Sequence, residues 1–155
     1  SKNRVEGAPA ILRFVHIRKD EEGQAQIGIT KPGFQFASLE NPILDKADYT
    51  NAISEEEADF YLQHISENLA KEYALSISML KAIENGHTTP NELTRVILDI
   101  YPNTKNEEAQ AIRSSLTSRL SELGLLTRKR SGLNVSYGLT QTGQETINTN
   151  VSKSG

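Results

Sequence analysis

The sequence predicts an α+β protein, mostly helical, with two β-hairpins set among amphipathic helices. Three observations carry this. Apolar residues recur at helical spacing through the second half, as in Ala109, Ile112, Leu116, Leu120 and Leu123, spaced 3, 4, 4 and 3 along one face. Two pairs of alternating, β-prone stretches flank turn-forming residues: Ala10–Lys19 and Gln24–Thr30 about Asp20-Glu21-Glu22-Gly23, and Leu125–Arg130 and Val135–Thr140 about Ser131-Gly132-Leu133-Asn134. Each second stretch runs into a similar close. Ile27-Gly28-Ile29-Thr30-Lys31-Pro32-Gly33 and Tyr137-Gly138-Leu139-Thr140-Gln141-Thr142-Gly143 share Gly, an aliphatic residue, Thr and Gly at the same offsets. In both, Thr is placed to accept from the amides that open a helix, while Gly relaxes the entry. Hairpin before and helix after in both places makes this an internal repeat.

The elements follow in order. Residues 1–8 read as disordered or tag-like. Residues 9–48 form a partial unit, a hairpin and a helix without the helices that would open it. A two-stranded hairpin is marginal alone in water, so the chain reads as the C-terminal part of something longer, with upstream domains among its expected partners. Asn41–Ala52 is a connector. Ser54-Glu55-Glu56-Glu57 is a capping box, and Ala58, Tyr61, Leu62 and Ile65 give the helix after it an apolar stripe. A second start at Ser66 leads into a long helix to about Glu84, with Leu69, Tyr73, Ile77 and Leu80 on one stripe and Leu75, Met79 and Ala82 on another. Two stripes require cover on more than one side, from the 54–65 helix and the 9–40 hairpin or from a second copy in a homodimer. Asn85-Gly86 ends this helix. Thr89-Pro90-Asn91-Glu92 combines an N-cap, Pro at the first helical position and a closing Glu. That helix carries Leu93, Val96, Ile97 and Ile100, and Pro102 stops it. Asn106–Leu123 is the next, ended by Gly124; the second hairpin follows and a short helix restarts near Gly143. A unit spanning 49–150 and a disordered tail at 151–155 complete the division.

Composition narrows the function classes. The 155-residue chain has 36% hydrophobic and 24% charged residues, few aromatics and no Trp, as suits a globular protein with an aliphatic core. The absence of Cys excludes a disulfide framework, a thiolate metal site and a cysteine nucleophile. No stretch approaches the ~20 apolar residues of a membrane span and no signal segment opens the chain, so a cytoplasmic location and no membrane partner are expected. His16, His64 and His87 stand apart without ligand spacing and read as surface or core residues. No glycine-rich phosphate loop or catalytic constellation invites an enzyme, and no cofactor or metal is expected. Net charge is −3, but the charge is unevenly placed. Arg113, Arg119, Arg128, Lys129 and Arg130 face a single acid, Glu122, between 112 and 130, whereas 54–67 holds Glu55, Glu56, Glu57, Asp59 and Glu67 with no Lys or Arg. Electrostatic binding depends on that placement more than on the sum.

Three segments in this order carry a family resemblance: Gly86-His87-Thr88-Thr89-Pro90-Asn91-Glu92-Leu93, then Leu116-Thr117-Ser118-Arg119-Leu120-Ser121-Glu122-Leu123-Gly124-Leu125-Leu126, then the Tyr137–Gly143 close. Residues 67–147 thereby resemble the winged helix-turn-helix superfamily, in particular the MarR-like and PadR-like DNA-binding domains of prokaryotic regulators. Thr88-Thr89 sits where that fold places a short extra strand. The link at Pro102–Lys105 is longer than the tight turn of the motif. The resemblance implies a DNA-binding protein, a prokaryotic transcriptional regulator or other DNA-transaction factor, reading double-stranded DNA with helix 106–123 and wing 128–134. A winged helix used as a protein–protein interaction module in a larger assembly is the alternative.

On the third helix, a wheel puts Gln110, Ser114, Thr117, Ser118 and Ser121 opposite the apolar stripe, with Arg113 at its margin. Gln and Arg pair bidentately with adenine and guanine edges, and Ser and Thr hydroxyls bind phosphates or bases less selectively. On the wing, Arg128, Lys129 and Arg130 offer three cations to the backbone, with Arg128 and Arg130 expected on one face and Lys129 on the other. Glu107 and Glu108 would meet phosphates, although they also stabilise the helix N-terminus through its dipole. The acidic tip of the first hairpin suits contacts with protein.

Overall fold

The computed structural model describes residues 8–154, so the expectation for residues 1–8 lies outside the described residues except at Ala8, which opens a helix. The protein is α+β and mostly helical, with two antiparallel hairpins. It forms two compact units that meet at Ala70 and Lys71. The first holds α1 (Ala8–Ile11), β1 (Val15–Lys19), β2 (Ala25–Ile29), α2 (Lys31–Ala37), α3 (Pro42–Lys46) and α4 (Glu55–Asn68). The second holds α5 (Ala70–Glu84) from its second residue on, α6 (Pro90–Ile100), α7 (Asn106–Glu122), β3 (Leu126–Ser131), β4 (Asn134–Leu139) and α8 (Gln141–Ser154). Among the described residues no helix is long and apolar enough to cross a membrane.

The division after Ala70 differs from the one expected after residue 48, because α4 is built into the first unit. The Ser54–Glu57 capping box forms, and Asn41 Nδ2 donates to the same buried Glu57 carboxylate at 3.0 Å, tying the connector to the helix start. His64, 6% exposed, donates from Nε2 to Leu12 O at 2.8 Å, which leaves Nδ1 to face the Asn68 amide. Its ring lies 4.9 Å from that of Phe14, which stacks on Phe36 at 5.0 Å. With Leu12, Tyr61 and Ile65 these rings form the core of this unit.

Three boundaries differ from expectation. Residues 10–14 are not strand: α1 closes on Arg13 at φ 57, with Phe14 N–H reaching Pro9 O. The apolar run there matches a strand and a buried helix end equally well. The break between α4 and α5 falls at Leu69 rather than Ser66, because the Ser66 hydroxyl donates back to Gln63 O and leaves the helix intact. Residues 151–154 are helical, in place of a disordered tail. The Thr146, Thr149 and Ser152 hydroxyls of α8 bond carbonyls four residues back and so stay within the helix. Asn41, expected in a plain connector, caps the short α3.

In the second unit α6 packs on α7, and Met79, Leu80, Leu93, Ile97, Leu116, Leu120 and Leu125 are fully buried. The Thr89–Glu92 box opens α6 with Pro90 in its first turn. On α5, Leu75, Met79 and Ala82 of one stripe and Ile77 and Leu80 of the other are buried, while Tyr73 is half-buried. Gly86 and Gly124 end α5 and α7 in left-handed conformations. β3 and β4 pair from Leu126↔Leu139 to Ser131↔Asn134, leaving Gly132 at φ 61 as the first of two loop residues. Tyr137 N–H donates to Thr88 O at 2.8 Å on the free edge of β4, but this single bond makes no strand at Thr88-Thr89, where a short extra strand was expected, and the sheet stays two-stranded.

The two hairpins close by the same device. Thr30 Oγ1 donates to Arg13 O at 2.7 Å and accepts from Gly33 N at 3.1 Å. Thr140 Oγ1 donates to Gly124 O at 2.6 Å and accepts from Gly143 N at 3.0 Å. Arg13 and Gly124 share a left-handed φ, and the next amide reaches back five residues in both, from Phe14 to Pro9 and from Leu125 to Leu120. The seven-residue match in the sequence is thus a match of hydrogen-bonded structure.

Candidate nucleic-acid interface

The helix α7 presents Gln110, Ser114 and Ser118, four residues apart and all exposed, along one line. The Arg113 side chain lies beside that line, half-buried, and its Nε is buried without a hydrogen-bond partner. The wheel position given to Thr117 is corrected: it is 2% exposed. Its hydroxyl donates to Arg113 O at 2.9 Å and lies 3.5 Å from Tyr137 Oη. Tyr137 from β4 covers this part of the helix, so Thr117 holds α7 against the β3–β4 hairpin and adds almost no exposed surface to the cleft it borders.

Between α7 and the β3–β4 hairpin lies an open cleft of about 470 Å³. It is lined by Arg113, Ser114, Thr117, Ser118, Ser121 and Glu122 from the helix and by Arg128 and Tyr137 from the strands. The fold therefore brings Arg113, Ser114, Ser118 and Arg128 together. Gln110 stands a turn further toward the N-terminus of α7, outside the cleft and near the exposed Glu107 and Glu108. Sequence reasoning passed over Glu122 as part of this cleft; its place, one turn after Ser118, was the available signal.

The β3–β4 hairpin has a second side. Lys129 and Arg130 line a groove of about 1010 Å³ with Thr89, Pro90 and Asn91 at the start of α6 and with Leu133 and Asn134 at the wing tip. The expected pairing of Arg128 with Arg130 on one face does not describe these surroundings: Arg128 borders the α7 cleft and Arg130 borders the α6 groove. Arg130 Nε donates to Gly132 O at 3.1 Å, which folds its side chain back toward the tip. The α6 N-terminus is occupied by its own cap. The Glu92 carboxylate accepts from the amides of Thr89 and Thr88 and from the Thr89 hydroxyl, and those bonds hold its carboxyl below the usual carboxylate range.

One cation of the basic region is withdrawn from the surface. Arg119 Nη2 meets Glu72 Oε1 at 2.5 Å, both side chains 16% exposed, and Arg119 Nη1 donates to Ser115 Oγ. Among the described residues no cluster of three His, Asp or Glu side chains is placed to hold a metal. Compared with protein-family models, with curated proteins and with solved structures, the chain matches none.

Proposed function

We propose that residues 71–154 form a winged helix-turn-helix domain that binds duplex DNA, with α7 entering a major groove and the β3–β4 wing contacting the flanking backbone. The observation that carries this reading is the cleft in which Arg113, Ser114 and Ser118 of α7 meet Arg128 of the wing. Cations there suit phosphate, and the exposed line from Gln110 to Ser118 suits base edges. The order α5, α6, α7, hairpin, α8, with Thr88 bonded to the edge of β4, supports the fold assignment. Regulation of transcription or another DNA transaction is the corresponding role. A protein partner is the second reading, favoured by the exposed Glu107 and Glu108 on α7 and by Leu133, 94% exposed at the wing tip.

A titration on mixed-sequence duplex at two salt concentrations tests the proposal. The triple variant Arg128→Ala/Lys129→Ala/Arg130→Ala should weaken binding to every duplex alike. It should also flatten the log–log salt dependence by roughly one unit for each phosphate that the wing no longer neutralises. An unchanged slope removes the wing from the interface, and no salt-dependent binding by the parent chain favours the protein partner.

A further inference from the structure

The shared closure aligns the two hairpins residue by residue: Val15 with Leu126, Ile17 with Arg128, Ile27 with Tyr137 and Ile29 with Leu139. In the second hairpin the face carrying these residues lies against α7, and Tyr137 is 7% exposed over Thr117. In the first hairpin the same face is bare. Ile17 and Ile27 pair across the strands, yet Ile17 is 39% exposed, Ile27 65% and Ile29 54%. Contiguous exposed β-branched side chains of this kind mark an interaction site.

The internal repeat says what covers such a face, namely a helix lying against it as α7 lies against β3 and Tyr137. Charge narrows the occupant further. The tip beyond the patch carries Asp20, Glu21 and Glu22, while Lys19 is the cation on the apolar face itself. We propose that the Ile17–Ile27–Ile29 face docks an amphipathic helix of another protein, aliphatic on its docked stripe and rich in Lys or Arg where it overlies the hairpin tip.

The probe is a labelled peptide of about 18 residues with Leu at helical spacing and Lys elsewhere, titrated against the whole chain by fluorescence anisotropy. Saturable one-to-one binding is expected. It should weaken about tenfold or more in Ile27→Glu and, as a milder second variant, in Ile17→Ser, with circular dichroism unchanged. Leu44→Ser, an exposed position on α3 outside both hairpins, should bind as the parent does, and a Leu/Glu peptide of the same spacing should bind about tenfold more weakly. Equal binding by Ile27→Glu and Ile17→Ser, or by the Leu/Glu peptide, overturns the proposal. So does a parent dimer in light scattering that Ile27→Glu dissociates, which makes a second copy the occupant. Binding that emerges only after residues 1–7 are removed makes those residues the occupant, and equally overturns it.

Discussion

Replacing Gly143 with alanine tests the closure that holds α8 onto the second hairpin. A Cβ at Gly143 would stand 2.0 Å from Leu125 O and 3.0 Å from its carbonyl carbon. Carbon and oxygen settle at about 3.5 Å, so α8 and the segment at Leu125 must part by more than an ångström. The obstacle is main chain, which has no rotamer to yield. Parting them stretches three bonds at once: Thr140 Oγ1 to Gly124 O at 2.6 Å, Gly143 N to Thr140 Oγ1 at 3.0 Å, and Thr140 N to Leu125 O at 3.2 Å. At a net ~1 kcal/mol each, their loss amounts to about 3 kcal/mol. Alanine is the better helix former by about 1 kcal/mol, which offsets part of this. The net expectation is a loss of about 2 kcal/mol, with a further ~1 kcal/mol if the core at Leu125 cannot relax. Gly132→Ala is the control, since a Cβ there meets open space and only the left-handed φ costs, about 1–2 kcal/mol. Urea denaturation followed by circular dichroism gives both values, provided the slope of each transition matches the parent's. Gly33→Ala should show the same penalty in the first unit, where the Cβ would lie 1.9 Å from Phe14 O. A Gly143→Ala protein as stable as its parent would show that the closure is loose and that the two Thr-x-x-Gly segments are alike by accident.

Other outcomes follow from particular contacts. Glu72→Ala or Arg119→Ala should each cost about 2–3 kcal/mol of unfolding free energy in denaturant titration, below the range for full burial because both groups keep some exposure, whereas Glu72→Met/Arg119→Leu together should fall near the parent. Gln110→Ala should change base preference in a duplex selection, at roughly 1–3 kcal/mol for a bidentate contact, whereas Lys129→Ala should weaken all sites evenly. Glu92 has its folded pKa depressed, so its cap stabilises α6 above the ordinary carboxylate value and the benefit is lost as pH falls through the lower folded one. A melting series from about pH 6 to about pH 3 should therefore show a smaller acid loss in Glu92→Gln than in the parent. Met79→Glu places a charge in a fully buried position and should abolish the folded circular dichroism signal; a folded monomer released from a dimer would refute the core assignment.

The features legible in the sequence are those in which a residue bonds to a close neighbour along the chain. Ser54 with Glu57, Thr89 with Glu92, Gly86 and Gly124 as helix ends, and Thr30 and Thr140 three residues before a glycine all act within a few positions, so composition and spacing decide them. Periodicity likewise reached the buried Leu116 and Leu120. What tertiary structure decided involves partners far apart in sequence. Thr117 lies outward on a wheel and inward in the protein because Tyr137, 20 residues on, covers it. Arg119 belongs to a basic run and is removed from it by Glu72, 47 residues away. The apolar run at 10–14 became a helix end because backbone amides at Arg13 and Phe14 found carbonyls behind them, a choice its side chains do not make. Even the repeat was half legible. Matching residues announced the closure, but only the folded chain separates a hairpin whose apolar face is covered from one whose face is bare, because burial belongs to the packing of distant elements and leaves no mark on spacing.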